Sequence, residues 1–221
     1  MKLIPVLELE PGLYANQKRE IPESSDSEAW HTYWKKSLAN SGIENLEPYE
    51  YNSWFVPLGS IFEPKIMAAV LDQRLSLTKI RSQNTSLSLE ERISPLPGGY
   101  ILEIDENTKI RPQCCGTLED LHNWKHTLQA SGVDEQMLWI GHPWLMASSV
   151  DSKYLRLRET VEYGEPIDLI EVQVEKKKLE QAIQEAETVL LAFGDRLRPI
   201  LEEFLPHKRE STLDILIKGH Y

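Results

Sequence analysis

Cys114 and Cys115 are adjacent, Gly116 follows them, and Thr117 opens a stretch with helical spacing. A thiol just ahead of a helix feels the positive end of the helix dipole, which favours the thiolate, the form that attacks electrophiles. His142 could act as the base for such a nucleophile. The competing reading is structural, because cysteine is among the most often buried small residues and fills space where a strand meets a helix. A disulfide between the two would be strained. Neighbouring Cα atoms lie ~3.8 Å apart, whereas ordinary disulfides want ~4.4–6.8 Å. Two reduced thiols in a reducing compartment are expected.

His122 and His126, four apart on the same predicted helix, are the one metal-like spacing in the chain. Residue 123 is asparagine where a zinc hydrolase would carry its glutamate base. Adjacent residues on an extended segment point to opposite sides, so at most one sulfur easily faces the histidines. Two surface histidines on a polar helix face explain the spacing as well, and neither a metal nor a cofactor is assigned. Gly141-His142-Pro143-Trp144 follows the apolar run Met137 to Ile140, at the kind of sheet end where ligand crevices form. His142, Trp144 and Arg111 would make a reasonable pocket. Against that, Trp144 can cover a core edge and a histidine before proline is an ordinary turn residue. The candidate ligand- or partner-binding set is Arg111, Cys114, Cys115, Asp120, His142 and Trp144, with no catalytic residue assigned. The dinucleotide fingerprint, the phosphate loop and the nucleophile elbow are all missing from the sequence.

The elements that position these residues follow from periodicity. Ser25 and Glu28 have capping-box spacing ahead of a helix over Asp26 to Asn40, whose face carries Trp30, Tyr33, Trp34 and Leu38 as core. Trp54-Phe55-Val56 reads as a short strand, and Lys65 to Leu75 as a second helix. Ser82 to Ser88 reads as a loop. After the Pro95 to Gly99 turn, Tyr100 to Asp105 alternates as a strand, with Lys109 to Arg111 as its hairpin partner. Thr117 to Ser131 follows as a helix ended by Gly132, then Met137 to Ile140 as a buried central strand. Tyr154 to Val161 and Ile170 to Glu175 are two further strands. From Leu179 the apolar residues recur as a long amphipathic helix that Gly194 and Pro199 bend or break, and the tail Leu213 to Ile217 docks. With no internal repeat and no low-complexity linker, the expectation is one α+β domain over residues 1–221, a mixed β-sheet flanked by helices with a long C-terminal amphipathic helix.

The charge of −11, from 35 acidic and 24 basic residues, leaves no basic stripe; Lys176-Lys177-Lys178 is flanked by Glu171, Glu175 and Glu180. Nucleic acid and anionic membrane are therefore excluded as partners, while a basic protein partner is compatible. No secretory signal is visible, and the apolar runs fall well below the ~20 residues of a spanning helix, so a cytoplasmic location is expected.

The segment Pro112-Gln113-Cys114-Cys115-Gly116-Thr117-Leu118-Glu119-Asp120, with Trp124 and then Leu138-Trp139-Ile140-Gly141-His142-Pro143, resembles a pattern in bacterial proteins associated with the immunity proteins of polymorphic toxin systems. With the helix around Leu179 to Leu197, the resemblance covers about a third of the chain. It implies a cytosolic inhibitor that binds a toxin through an acidic surface, with no chemistry of its own. The alternative is a small enzyme or ligand-binding protein with a site around the Cys114/Cys115 and His142/Trp144 turns.

Overall fold

The computed structural model describes residues 1–15, 21–23, 26–81, 93–130, 134–162, 169–205 and 209–219. In chain order its elements are β1 (Lys2–Glu8), α1 (Pro11–Tyr14), α2 (Ser27–Ala39), β2 (Phe55–Pro57), α3 (Pro64–Arg81), β3 (Gly98–Glu103), β4 (Lys109–Ile110), α4 (Leu121–Thr127), β5 (Gln136–Leu138), β6 (Leu145–Ser149), β7 (Tyr154–Glu159), β8 (Glu171–Glu175), α5 (Lys176–Phe204) and α6 (Arg209–Lys218). Short 3-10 turns occupy Leu58–Ser60 and Leu118–Asp120. This is an α+β fold with a long C-terminal helix. The strands form two antiparallel sheets, in the orders β2-β1-β3-β4 and β5-β6-β7-β8, where the sequence suggested one mixed sheet. The reason is local. Between β6 and β7 the Asp151 carboxylate accepts from the N–H groups of Lys153 and Tyr154 at 2.7 and 2.8 Å, and a connection that short joins only antiparallel neighbours.

The chain divides into two compact units, one of residues 1–6 and 97–191, the other of 7–96 and 192–221. In the first, β3 pairs with β4 in the register Leu102 with Ile110, as the hairpin reading expects. Tyr100, Ile101 and Leu102 are all buried, so β3 is covered on both faces. On β7, Leu155 and Leu157 are buried while Arg156 is exposed. The run from Met137 is not a central strand. β5 is the edge of its sheet and Met137 is 59% exposed. Its apolar character serves the surface at Met137 and the core only at Leu138 and Ile140.

In the second unit, α2 is capped by Asp26, whose carboxylate accepts from Ala29 N–H at 2.9 Å; Ser25 lies outside the described residues. Trp34 and Leu38 are buried, and the Trp34 indole N–H donates to the Leu9 carbonyl at 2.9 Å. α3 buries Ile66, Met67, Val70, Leu71 and Leu75, at the spacing read from sequence. α5 runs unbroken past Gly194 and Pro199. Gly194 is buried, and a Cβ there would meet the Ile217 side chain of α6 at 3.0 Å. Phe193, Leu197, Ile200 and Leu201 continue one buried ridge past exposed Pro199. Packing of that ridge outweighs the ~3 kcal/mol that an interior proline costs a helix. In α6, Thr212, Leu213, Leu216 and Ile217 are buried, and Leu96 N–H donates to the Leu216 carbonyl at 2.8 Å, so the tail docks as expected. The Ser82 to Ser88 loop and the Gly132 helix stop lie outside the described residues. Among the described residues no helix is long and apolar enough to cross a membrane.

The strand β1, which alternation did not reveal, is followed directly by Leu9, whose carbonyl Trp34 holds. Trp34→Phe keeps the ring and removes the donor to Leu9, leaving a buried carbonyl to be satisfied otherwise. It is expected to cost about 1–3 kcal/mol, read as a lower urea midpoint at an unchanged slope. An unchanged midpoint would show that this hydrogen bond contributes nothing net.

Candidate functional site

The residues singled out by their chemistry are positioned by two turns held backbone to backbone in the first unit. Gly116 N–H donates to the Gln113 carbonyl at 3.1 Å, closing the cysteine turn, and the Gly116 carbonyl accepts from Gly98 N–H at 3.0 Å. Gln113 N–H then donates to the Ile140 carbonyl, and His142 N–H to the Cys114 carbonyl, each at 2.8 Å. Cys114 and His142 thus form an antiparallel bridge. The two turns meet by direct antiparallel pairing, because the chain leaving edge strand β5 runs back along residues 113–114.

Only glycine fits this apposition. Gly141 has φ of +110°, and a Cβ there would lie 2.4 Å from the Cys114 carbonyl oxygen and 2.5 Å from that of Gln113. At Gly116 a Cβ would come within 2.7 Å of the Gly98 carbonyl oxygen and 3.0 Å of that of Ile140. Backbone atoms cannot step aside as a flexible side chain would, so both positions exclude a side chain.

Cys114 and Cys115 are both exposed and neither is in a disulfide. Their sulfurs approach to 3.3 Å. The expectation that neighbouring side chains diverge fails here because Cys115 has φ of +69°, which breaks the strand alternation. The helical run after Thr117 opens with the 3-10 turn Leu118–Asp120, which leads directly into α4 at Leu121.

His142 is exposed, its ring edge-on to Trp139 at 4.6 Å between centroids and to Trp144 at 6.1 Å. Its Nδ1 stands 3.9 Å from a Glu162 carboxylate oxygen, both side chains being about 40% exposed, a separation and exposure at which an ion pair adds little. Trp144 is half-buried and its carbonyl accepts from the Thr160 hydroxyl at 2.7 Å. Arg111 is exposed just beyond β4. The structure therefore gathers Cys114, Cys115, His142 and Trp144. Trp139, read from sequence as strand core, belongs with them, and its alternation with Leu138 and Ile140 was the available signal. Glu162 had no such signal.

Asp120 does not join that surface. It is 2% exposed, accepts from Thr117 N–H at 2.8 Å and from the Asn123 amide at 3.1 Å, and completes a capping box with Thr117. The Thr-x-x-Asp spacing explains it, because the carboxylate turns back to satisfy the start of its own turn. Burial raises the Asp120 carboxyl to about 6, against the Thr117 and Asn123 hydrogen bonds that lower it. Burial likewise pushes the nearby Tyr100 hydroxyl well above its ordinary range, and that hydroxyl donates to the Leu118 carbonyl at 2.7 Å. His122 and His126 are exposed, and no three His, Cys, Asp or Glu side chains among the described residues group so as to hold a metal ion. A cleft of about 240 Å³ lies in the second unit, lined by residues that include Trp34, Lys35, Ile43, Leu46 and Glu47, and none of the candidate residues reaches it.

Two predictions follow from this geometry. Gly141→Ala should destabilise the protein by about 3 kcal/mol or more, since it adds a left-side φ to an overlap with backbone oxygen. Gly59→Ala, where a Cβ meets nothing within 4 Å, should change stability by less than about 1 kcal/mol. Equal denaturant midpoints for the two variants would disprove the apposition. For Asp120, a folded value of about 6 above an ordinary 3.8 means that folding favours the protonated form. Its contribution is complete below the unfolded value and is lost as pH rises through about 6. Relative to wild type, Asp120→Asn should therefore gain about 2–3 kcal/mol between pH ~4 and pH ~7. Parallel stability curves for the two proteins would show that the carboxyl titrates normally.

Comparison with protein-family models, with curated proteins and with solved structures finds no match to this chain.

Proposed function

We propose that this chain is a non-enzymatic protein-interaction module that acts in the cytoplasm by binding a basic protein partner, in the manner of a toxin-neutralising immunity protein. One observation carries the reading: the glycine-locked turns hold the exposed His142 ring against those of Trp139 and Trp144. Met137, two residues before Trp139, is also exposed. Aromatic and methionine side chains on a rigid frame suit the centre of an interface, because little conformational freedom is lost when a partner covers them. The charge of −11 and the Glu162 carboxylate beside His142 select a basic partner and speed its encounter.

A second reading has one observation in its favour. The exposed sulfur pair lies on the turn that bridges to His142, which also suits a small enzyme or ligand-binding protein. The two separate on mutation of the rings. Binding to a purified basic, toxin-like protein encoded beside this chain's gene would be measured by calorimetry at low and high salt. The interaction reading expects affinity to fall as salt rises, and Trp139→Ala to weaken binding by about 2 kcal/mol, roughly 30-fold. If Trp139→Ala and Trp144→Ala bind as wild type does, the face is not the interface and the proposal fails.

A further inference from the structure

We propose that Cys114 and Cys115 form a redox-active dithiol that reduces low-molecular-weight disulfides of the glutathione type and is itself converted, reversibly, into a disulfide between the two neighbours. Both cysteines are exposed residues at the surface turn, where a small disulfide can approach. Their sulfurs are also already gathered on one side of the chain, 3.3 Å apart, because Cys115 adopts φ of +69°. That conformation is unfavourable for a residue that carries a side chain. It is held in place by its neighbours, through the Gly116 bond to Gln113 behind it and the His142 bond to Cys114 beside it. The fold therefore maintains, at an exposed turn, an arrangement of two thiols that an ordinary extended segment would pull apart.

The reaction is thiol–disulfide exchange. The thiolate of one cysteine attacks a sulfur of the external disulfide; the external S–S bond breaks, a mixed disulfide forms, and one small thiolate leaves and takes up a proton. The second cysteine's thiolate attacks the protein sulfur of that mixed disulfide. The new S–S bond forms, the second small thiolate leaves and is protonated, and two electrons and two protons have passed from the protein to the external disulfide. The closed ring contains the 114–115 peptide bond. Because adjacent residues sit closer than a disulfide prefers, the product is readily reduced again, which makes it a reversible state and not a structural staple.

The test uses the full chain, reduced, then exposed to excess oxidised glutathione, quenched with acid, alkylated and weighed by mass spectrometry. The expected result is that both thiols disappear together, that the peptide carrying them loses two hydrogens and holds no glutathione, and that dithiothreitol restores both. Cys114→Ser and Cys115→Ser should each trap one stable glutathione adduct. In urea, ring closure should slow by about tenfold or more, since the folded turn supplies the alignment. Persistent glutathione adducts on the wild type, covalent dimers, thiols that survive the oxidant, or equal closure rates in the folded and unfolded chain would each overturn the proposal.

Discussion

The arrangement of the first unit's chemistry depends on one steric constraint, the contact of two backbones at a distance that admits no Cβ. Gly116 and Gly141 each face carbonyl oxygens closer than any side chain could stand. With them in place, the Gln113 and His142 amides reach the Ile140 and Cys114 carbonyls, and the two turns are tied backbone to backbone. A side chain at either glycine would push the turns apart and release the cysteine pair and the aromatic cluster from each other. The capping box of Thr117 and Asp120 takes over where the clamp ends, orienting the 3-10 turn that leads into α4 and fully buried Trp124. The exposed residues are thus displayed by a frame whose own polar groups are spent on each other.

That frame was only partly legible in the sequence. Apolar spacing gave α2, α3 and the body of α5, because each buries one stripe at helical period and periodicity reports that directly. The β3–β4 hairpin was legible from its alternation and its turn residues. β1 was not: Pro5 and Glu8 broke the apolar pattern, though Pro5 is itself buried in the strand. β5 was misread because a short apolar run looks the same whether it fills a core or faces outward at an edge, and only its partners decide. The break expected at Pro199 did not occur, since local propensity yields to a buried ridge on both sides of it.

The candidate residues divide along the same line. Spacing could show that Cys114, Cys115 and His142 flank turns. It could not show that Cys115 takes a left-handed conformation or that its neighbour's carbonyl receives the His142 amide, since both depend on contacts between segments distant in sequence. Asp120 was a residue of plausible chemistry whose Thr-x-x-Asp context already contained its structural use. Trp139 shows the reverse case, a residue assigned to the core whose ring instead meets that of an exposed histidine.

Each compact unit is assembled from discontinuous chain, since the first needs residues 1–6 with 97–191 and the second 7–96 with 192–221. During synthesis, neither can be completed by the stretch of polypeptide that has just left the ribosome. The second unit draws its residues 7–96 and 192–221 from the two sides of the stretch that builds most of the first. The first unit's segments are all present once residue 191 has emerged, whereas the second still lacks 192–221, so the chain order lets the first unit close before the second.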